Sequence, residues 1–204
     1  IDKNQFDTIY HEHFYYFSLS SLIFLFSKHK LKIFDIDNIR THGGSIRIHV
    51  SNQKNNNYRI KKIVKTILAK EIKYGFQRKE KYQNFNLKID KLKKTVIRFF
   101  NNNKSKNIIG FGAAAKACTF INYFELQNKI KFIIDETPEK IGNFIPGTNI
   151  KIKTLPKEIT SKIDIIIIFP WNHYKEIKQK IKNRNIEKVK LVRFIPKMNE
   201  ETIN

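Results

Sequence analysis

Three groups of residues in this 204-residue chain have the types and spacing to do chemistry. Near the start, Tyr10-His11-Glu12-His13-Phe14 sets a phenol, two imidazoles and a carboxylate side by side. Two imidazoles at i and i+2 next to a carboxylate can ligate a metal. A catalytic zinc takes three protein ligands, however, and only His42, for which nothing else argues, offers itself as the third. An acid-base cluster is the more economical reading, since an imidazole titrates near neutrality and a phenol or carboxylate beside it can tune or orient it.

The second group is Gly110-Phe111-Gly112-Ala113-Ala114-Ala115, which satisfies G-x-G-x-x-[GA] directly after an apolar run and at the opening of a helical one. Glycines there permit a tight turn and a close backbone approach, so a diphosphate can rest on free N–H groups at the positive end of the helix. Asp135 follows by about 20 positions, where a carboxylate accepts from ribose hydroxyls. The competing reading is that the glycines only tighten packing. Lys116 either neutralises a phosphate or faces solvent. The third group is Pro170-Trp171-Asn172 at the carboxyl end of a later apolar run, where an aromatic and an amide suit a base or a sugar. The same three residues also suit a helix entry, with Asn172 as N-cap and Trp171 as a packed lid. Pro146-Gly147-Thr148 reads as a turn near the same rim, its ligand role open.

The elements that must position these groups follow from hydrophobic periodicity. Ser18 to His29 predicts a helix capped by Ser18, apolar on most of its circumference and therefore buried. Leu31 to Ile39 and Ser45 to Val50 predict two strands joined as a hairpin by Thr41-His42-Gly43-Gly44. Two amphipathic helices follow, from Tyr58 to about Lys73 and through Phe85, Ile89, Leu92, Val96 and Phe99, and Asn101 to Ser105 ends the second. From Asn107 strands and helices alternate: strand to Phe111, helix Ala114 to Phe124, strand Ile130 to Ile134, strand Ile163 to Phe169, helix His173 to Asn183, and a closing strand Val189 to Ile195. Alternation of this kind implies a parallel sheet covered by helices, an α/β fold with Rossmann-like character.

Composition narrows the class. At 41% apolar residues the chain can bury a core, and its apolar runs are too short to span a bilayer. The single cysteine, Cys118, fits a soluble, cytoplasmic protein. A formal charge of +22 raises nucleic acid as a partner, but the lysines are dispersed over nearly every segment instead of clustered, which reads as a solvated surface. The opening at Ile1, which runs straight into a motif, reads as a segment of a longer protein.

Taken in order, Phe6 to Phe14, Thr41 to Arg47, Gly110 to Lys116, Pro146 to Thr148 and Pro170 to Asn172 resemble the C-terminal half of the S-adenosylmethionine-dependent sugar C-methyltransferases, which methylate a carbon of a nucleotide-linked keto-deoxysugar. The resemblance covers almost the whole chain. It implies that residues 1–52 are the C-terminal tail of a class I methyltransferase domain, 53–104 bridging helices and 105–204 a Rossmann-like domain anchoring a nucleotide sugar. It also implies S-adenosylmethionine held mainly by residues upstream of Ile1, zinc in a cysteine segment absent here, and a piece inactive by itself. On this resemblance His13 is the base that removes a proton beside the ketone, Tyr10 its rival or partner, and Glu12 the group that orients the imidazole or the sugar. The substrate contacts it implies are His11, His42, Ser45, Arg47, Gly110, Gly112, Ala113, Ala114, Lys116, Asp135, Pro146, Gly147, Thr148, Pro170, Trp171 and Asn172. Arg47 suits a surface ion pair equally well. No metal ligand, nucleic acid or membrane is expected for these residues, and the oligomeric state is not legible. The rival classes are an NAD(P)-binding oxidoreductase domain, which uses the same glycine fingerprint, and a basic nucleic-acid-binding module.

Overall fold

A computed structural model of the chain describes residues 1–39, 41–155, 163–184 and 188–203, the His42 side chain excepted. It divides into two compact units, one made of Ile1–Phe14 with Phe85–Asn204 and the other of Tyr15–Asn84.

In the Tyr15–Asn84 unit, helix α1 (Leu19–Lys28) begins at Ser18, whose side chain and that of Ser21 form a reciprocal cap. The remaining free amides of that end reach the buried Glu71 carboxylate, which accepts from the Leu19 N–H at 2.6 Å and the Ser20 N–H at 2.8 Å. Strands β1 (Leu31–Ile39) and β2 (Ser45–Asn52) pair antiparallel through a tight Thr41–Gly43 turn, as the sequence predicts. Helix α2 (Lys62–Tyr74) starts later than its periodicity suggests. Tyr58 stacks on Phe34 and the Lys61 N–H donates to the Phe34 carbonyl, which keeps the approach extended. Expected burial of α1 is corrected: only Leu19 is buried, while Phe24 is 63% and Leu25 40% exposed. Two strands and one further helix offer too little apolar surface to cover more than one face of α1, which packs with Ile33, Ile36 and Val64.

The other unit is built on a six-stranded sheet in the order β5-β4-β3-β6-β7-β8. Its elements are α3 (Lys79–Asn102, from Phe85 onward), β3 (Ile108–Phe111), α4 (Ala115–Tyr123), β4 (Phe132–Ile134), β5 (Lys151–Lys153), β6 (Ile165–Ile168), α5 (Tyr174–Lys182), β7 (Val189–Arg193) and β8 (Asn199–Ile203). The first five strands in the order run parallel, and β8 pairs antiparallel to β7. All four residues of β3 and of β6 are buried, as strands covered on both faces require. One face, with Ile133, Ile165 and Ile167, packs against Val96 and Phe99 of α3, Phe120 of α4 and Phe6. On the opposite face, Ile109, Ile166 and Ile168 pack with Ile177 and Ile181 of α5.

Two strands escape the sequence reading. Val189 to Arg193 does not close the pattern, because β8 follows it, and β5 lies between Ile134 and Ile163, where the alternation predicts no strand. Both are edge strands with a single buried side chain each, Ile152 and Ile203, and charged or polar neighbours that discourage further pairing but give no apolar period. Chain order reverses between β3 and β6, since β4 and β5 lie on one side and β7 on the other. Such a reversal leaves a crevice at the carboxyl ends of the two central strands.

Candidate functional site

Gly112 stands where β3 turns into α4, at that crevice, with a positive φ of 89°. A Cβ added to it would lie 2.3 Å from Cγ of Pro170, and one added to Gly110 would lie 2.7 Å from Phe169 and 2.8 Å from Ile133. Both glycines therefore admit neighbouring chain. Pro170, at the end of β6, fills the space beside Gly112. The Gly112 N–H donates to the Ile134 carbonyl at 2.7 Å, and the Ala113 N–H donates to Asp135 Oδ2 at 2.7 Å. The next amides, those of Ala114, Ala115 and Lys116, open α4 without a side-chain cap.

Asp135 is thus engaged within the protein: it holds Ala113, accepts from the Thr137 N–H at 2.9 Å and lies 3.7 Å from the Lys140 ammonium. Burial pushes its carboxyl up, but the Thr137, Lys140 and Ala113 contacts outweigh burial and hold it below the usual carboxylate range.

Lys116 does not face solvent. It is buried, donates to Asn172 Oδ1 at 3.0 Å and lies 3.9 Å above the Trp171 ring. Trp171 is buried as well, and its indole N–H donates to Asp7 Oδ2 at 2.8 Å. Asn172 sits inside a three-residue helical turn, Trp171–His173, and does not cap α5, so the N-cap reading is corrected. Burial drives the Asp7 carboxyl up to about 6 against the lowering effect of Trp171 and Lys116, and drives the Lys116 ammonium down against Asp7. Phe6, Lys116 and Trp171 thereby join the start of the chain to the ends of β3 and β6: the Phe6 ring lies 5.1 Å from Phe124 and 6.0 Å from Phe120. Burying Phe6 contributes about 2–3 kcal/mol.

The acid-base cluster follows this anchor. Asp7 belongs to a short helical turn, Phe6–Thr8, and the Ile9 carbonyl accepts from the Thr119 hydroxyl of α4 at 3.2 Å. His13 Nδ1 lies 3.1 Å from the Thr8 carbonyl and Nε2 lies 3.1 Å from the Tyr10 hydroxyl, with the two rings 4.2 Å apart. A carbonyl only accepts, so Nδ1 carries the proton, and in the neutral ring Nε2 presents a lone pair to the Tyr10 hydroxyl. His11 and Glu12 are exposed and 3.9 Å apart.

Between this segment and the opening of α4 lies a cavity of about 310 Å³. Tyr10 and His11 form one wall, Ala113, Ala114 and Ala115 a second, and Lys140, Phe144 and Pro146 a third. Phe144 is 54% exposed, so this third wall offers open apolar surface. The Pro146 carbonyl accepts from Asn122, and Gly147 closes a turn against the same side chain. Thr148 turns inward to the Ile145 carbonyl at 2.9 Å. The volume is at the small end of ligand sites. The sequence reading missed Asp7, Lys140 and Phe144. The last two belong to a loop without periodicity, and Asp7 meets Trp171 across 164 positions.

His42, Ser45 and Arg47 belong to the other unit. The His42 side chain lies outside the described residues; Ser45 donates to the Thr41 carbonyl at 3.1 Å, and Arg47 is exposed opposite Asp37. Among the described residues, one group of three potential metal donors stands together, Asp35, Asp37 and His49, and Lys61 already pairs with Asp35 at 2.5 Å. No helix of the described residues is long and apolar enough to cross a membrane.

Residues 40–196 match the family model described as C-methyltransferase C-terminal domain. The chain is 30% identical over 181 residues to C-methyltransferase NovU of Streptomyces niveus, an alignment that takes in 87% of this chain and 43% of that protein. It therefore spans less than half the length of the curated relative it matches. On the extent of both matches, the chain belongs to the C-methyltransferase C-terminal domain family.

Proposed function

We propose that this chain is the substrate-holding and base-supplying part of an S-adenosylmethionine-dependent C-methyltransferase that acts on a nucleotide-linked, dTDP-type 4-keto-deoxysugar. The observation that carries the reading is the cavity shared by Tyr10, His11 and the uncapped opening of α4. A diphosphate takes the Ala114, Ala115 and Lys116 amides, which lie at the positive end of the helix. The Ala113 amide is already used by Asp135, so the anion seat starts one residue later than the glycine pattern alone implies. Phe144 and Pro146 give the ligand an apolar wall.

His13 acts as the base. Its Nδ1–H, fixed on the Thr8 carbonyl, leaves Nε2 to take the proton from the carbon next to the ketone, with Tyr10 as the group through which that lone pair is held. Loss of that proton would leave an enolate whose carbon is nucleophilic, and a methyl donor held outside this chain would supply the electrophilic methyl. Glu12, exposed beside His11, orients the sugar. The residues of this chain do not fit the donor itself. The glycine turn that opens α4 is taken in this reading by the nucleotide sugar, and the chain spans 43% of the relative it matches, so the donor belongs to residues outside 1–204 and this piece is inactive alone.

The oxidoreductase reading, by contrast, leaves the paired Tyr10 and His13 side chains without a role. In this account residues 1–52 are the tail of a methyltransferase domain, 53–104 bridge, and 105–204 form a Rossmann-like sugar-nucleotide domain in a cytoplasmic enzyme. Zinc sits in a segment outside this chain. Exposed Phe24, Leu25 and Ile46, on a unit whose sheet has only two strands, support a tail that completes a larger sheet. In a protein carrying this chain together with its donor domain, His13→Ala and Tyr10→Phe should lower turnover at least 100-fold, on the order of a lost general base, while nucleotide-sugar affinity stays within a few-fold. Unchanged turnover in both removes the cluster from the mechanism.

A further inference from the structure

Asp7 is 2% exposed, and only one of its carboxylate oxygens has a partner. Oδ2 accepts the Trp171 indole N–H at 2.8 Å, whereas Oδ1 has no hydrogen-bond partner. Beside the carboxylate lies a cavity of about 10 Å³ walled by Phe120, Phe169 and Phe194, the volume of a single water. Burying a carboxylate costs several kcal/mol after relaxation. A residue kept at that cost in the apolar core of the unit holds something in place.

What it holds is the turn Phe6–Thr8, which has no side-chain cap of its own. The Thr8 amide and hydroxyl both return to the Gln5 carbonyl, at 3.3 and 2.8 Å, and this directs the Thr8 carbonyl to His13 Nδ1 at 3.1 Å. From the indole of Trp171 the line of contacts runs through the Asp7 carboxylate and the turn to the Thr8 carbonyl and the His13 imidazole. We propose that Asp7, clamped by Trp171, is a positioning residue that fixes the Nδ1–H tautomer and the orientation of His13. The proposal deepens the reading of His13 as the base, because a ring protonated on Nδ1 leaves Nε2 as the nitrogen that takes a proton; the positioning itself holds whatever His13 does.

Nitrogen-15 NMR of the imidazoles in this chain, recorded above the histidine titration range and with His13 assigned by a His13→Gln variant, tests it. His13 should be in the Nδ1–H form in the wild type. Trp171→Phe and Asp7→Ala should shift it to the Nε2–H form that a free imidazole side chain favours, while Asp7→Asn, which keeps an oxygen for the indole N–H, retains Nδ1–H. Amide spectra of the β3, β6 and β7 residues show which variants are folded. Should Asp7→Ala fail to fold, Trp171→Phe carries the test. A folded Trp171→Phe protein whose His13 stays Nδ1–H overturns the proposal, as does a wild-type His13 in the Nε2–H form. Loss of the base role in turnover assays would leave this tautomer result standing, so the two failures are distinguishable.

Discussion

At the residue scale, Asp7 makes stability depend on pH in a direction opposite to that of most carboxylates. Its pKa of about 6 in the folded chain stands above the usual value near 4, because burial penalises the charged form more than Trp171 and Lys116 relieve it. The folded state therefore holds the proton more tightly than the unfolded one. The associated stabilisation is complete below about pH 4 and is lost as pH rises through about 6, a swing on the order of 3 kcal/mol. Denaturant titrations of wild type and Asp7→Asn between pH 4 and 7 isolate this contribution from the rest of the charge. The wild type should lose stability relative to the variant as pH rises, and a constant difference would mean that Asp7 is not buried as described. Asp7 lies within the Phe6 to Phe14 motif, but nothing in the sequence gives it a role. Asp7 and Trp171 can be seen as neighbours only after the sheet has brought positions 164 apart together, and the same folding turns Lys116, which reads as either a phosphate ligand or a surface lysine, into a buried donor to Asn172.

At the scale of elements, the turn between β3 and α4 shows how far a motif reports its own cause. The glycines, the apolar strand before them and the helix after them are all legible, since parallel strands buried on both faces read as unbroken runs such as Ile165–Ile168. What filled the space at the glycines was not legible: it is Pro170, Phe169 and Ile133. Gly112→Ala would place a methyl carbon 2.3 Å from Pro170 at a φ of 89°, and combines left-handed strain with overpacking. Thermal unfolding should show a loss of about 2–4 kcal/mol. Wild-type stability in that variant would mean that Pro170 does not lie against the turn. The missed strands β5 and β8 make the complementary point: short edges made of Lys, Asn, Glu and Thr carry no period-2 apolar signal, and their pairing is set by the strand beside them.

On the scale of the whole molecule, three of the chemically equipped segments, far apart in the sequence, meet at the point where strand order reverses, and the family match extends over the chain from residue 40 to 196. Their order along the chain is readable from the sequence alone. Their surroundings are not, because the contact of Asp135 with the Ala113 amide is made across 22 positions, and a cavity wall comes from a loop with no periodicity. Some of the dispersed lysines are paired at the surface, as Lys93 with Glu125 and Lys190 with Glu200. The central claim is that the cavity beside Tyr10 receives a nucleotide diphosphate, and thermal unfolding of the chain with a dTDP-sugar, NADH and a short oligonucleotide tests it most directly. The dTDP-sugar at 100 times its Kd should add about 2.7 kcal/mol of stability and lose that effect when Ala114→Asp places a carboxylate at the anion seat. Stabilisation by NADH or the oligonucleotide, with none by the dTDP-sugar, would contradict it.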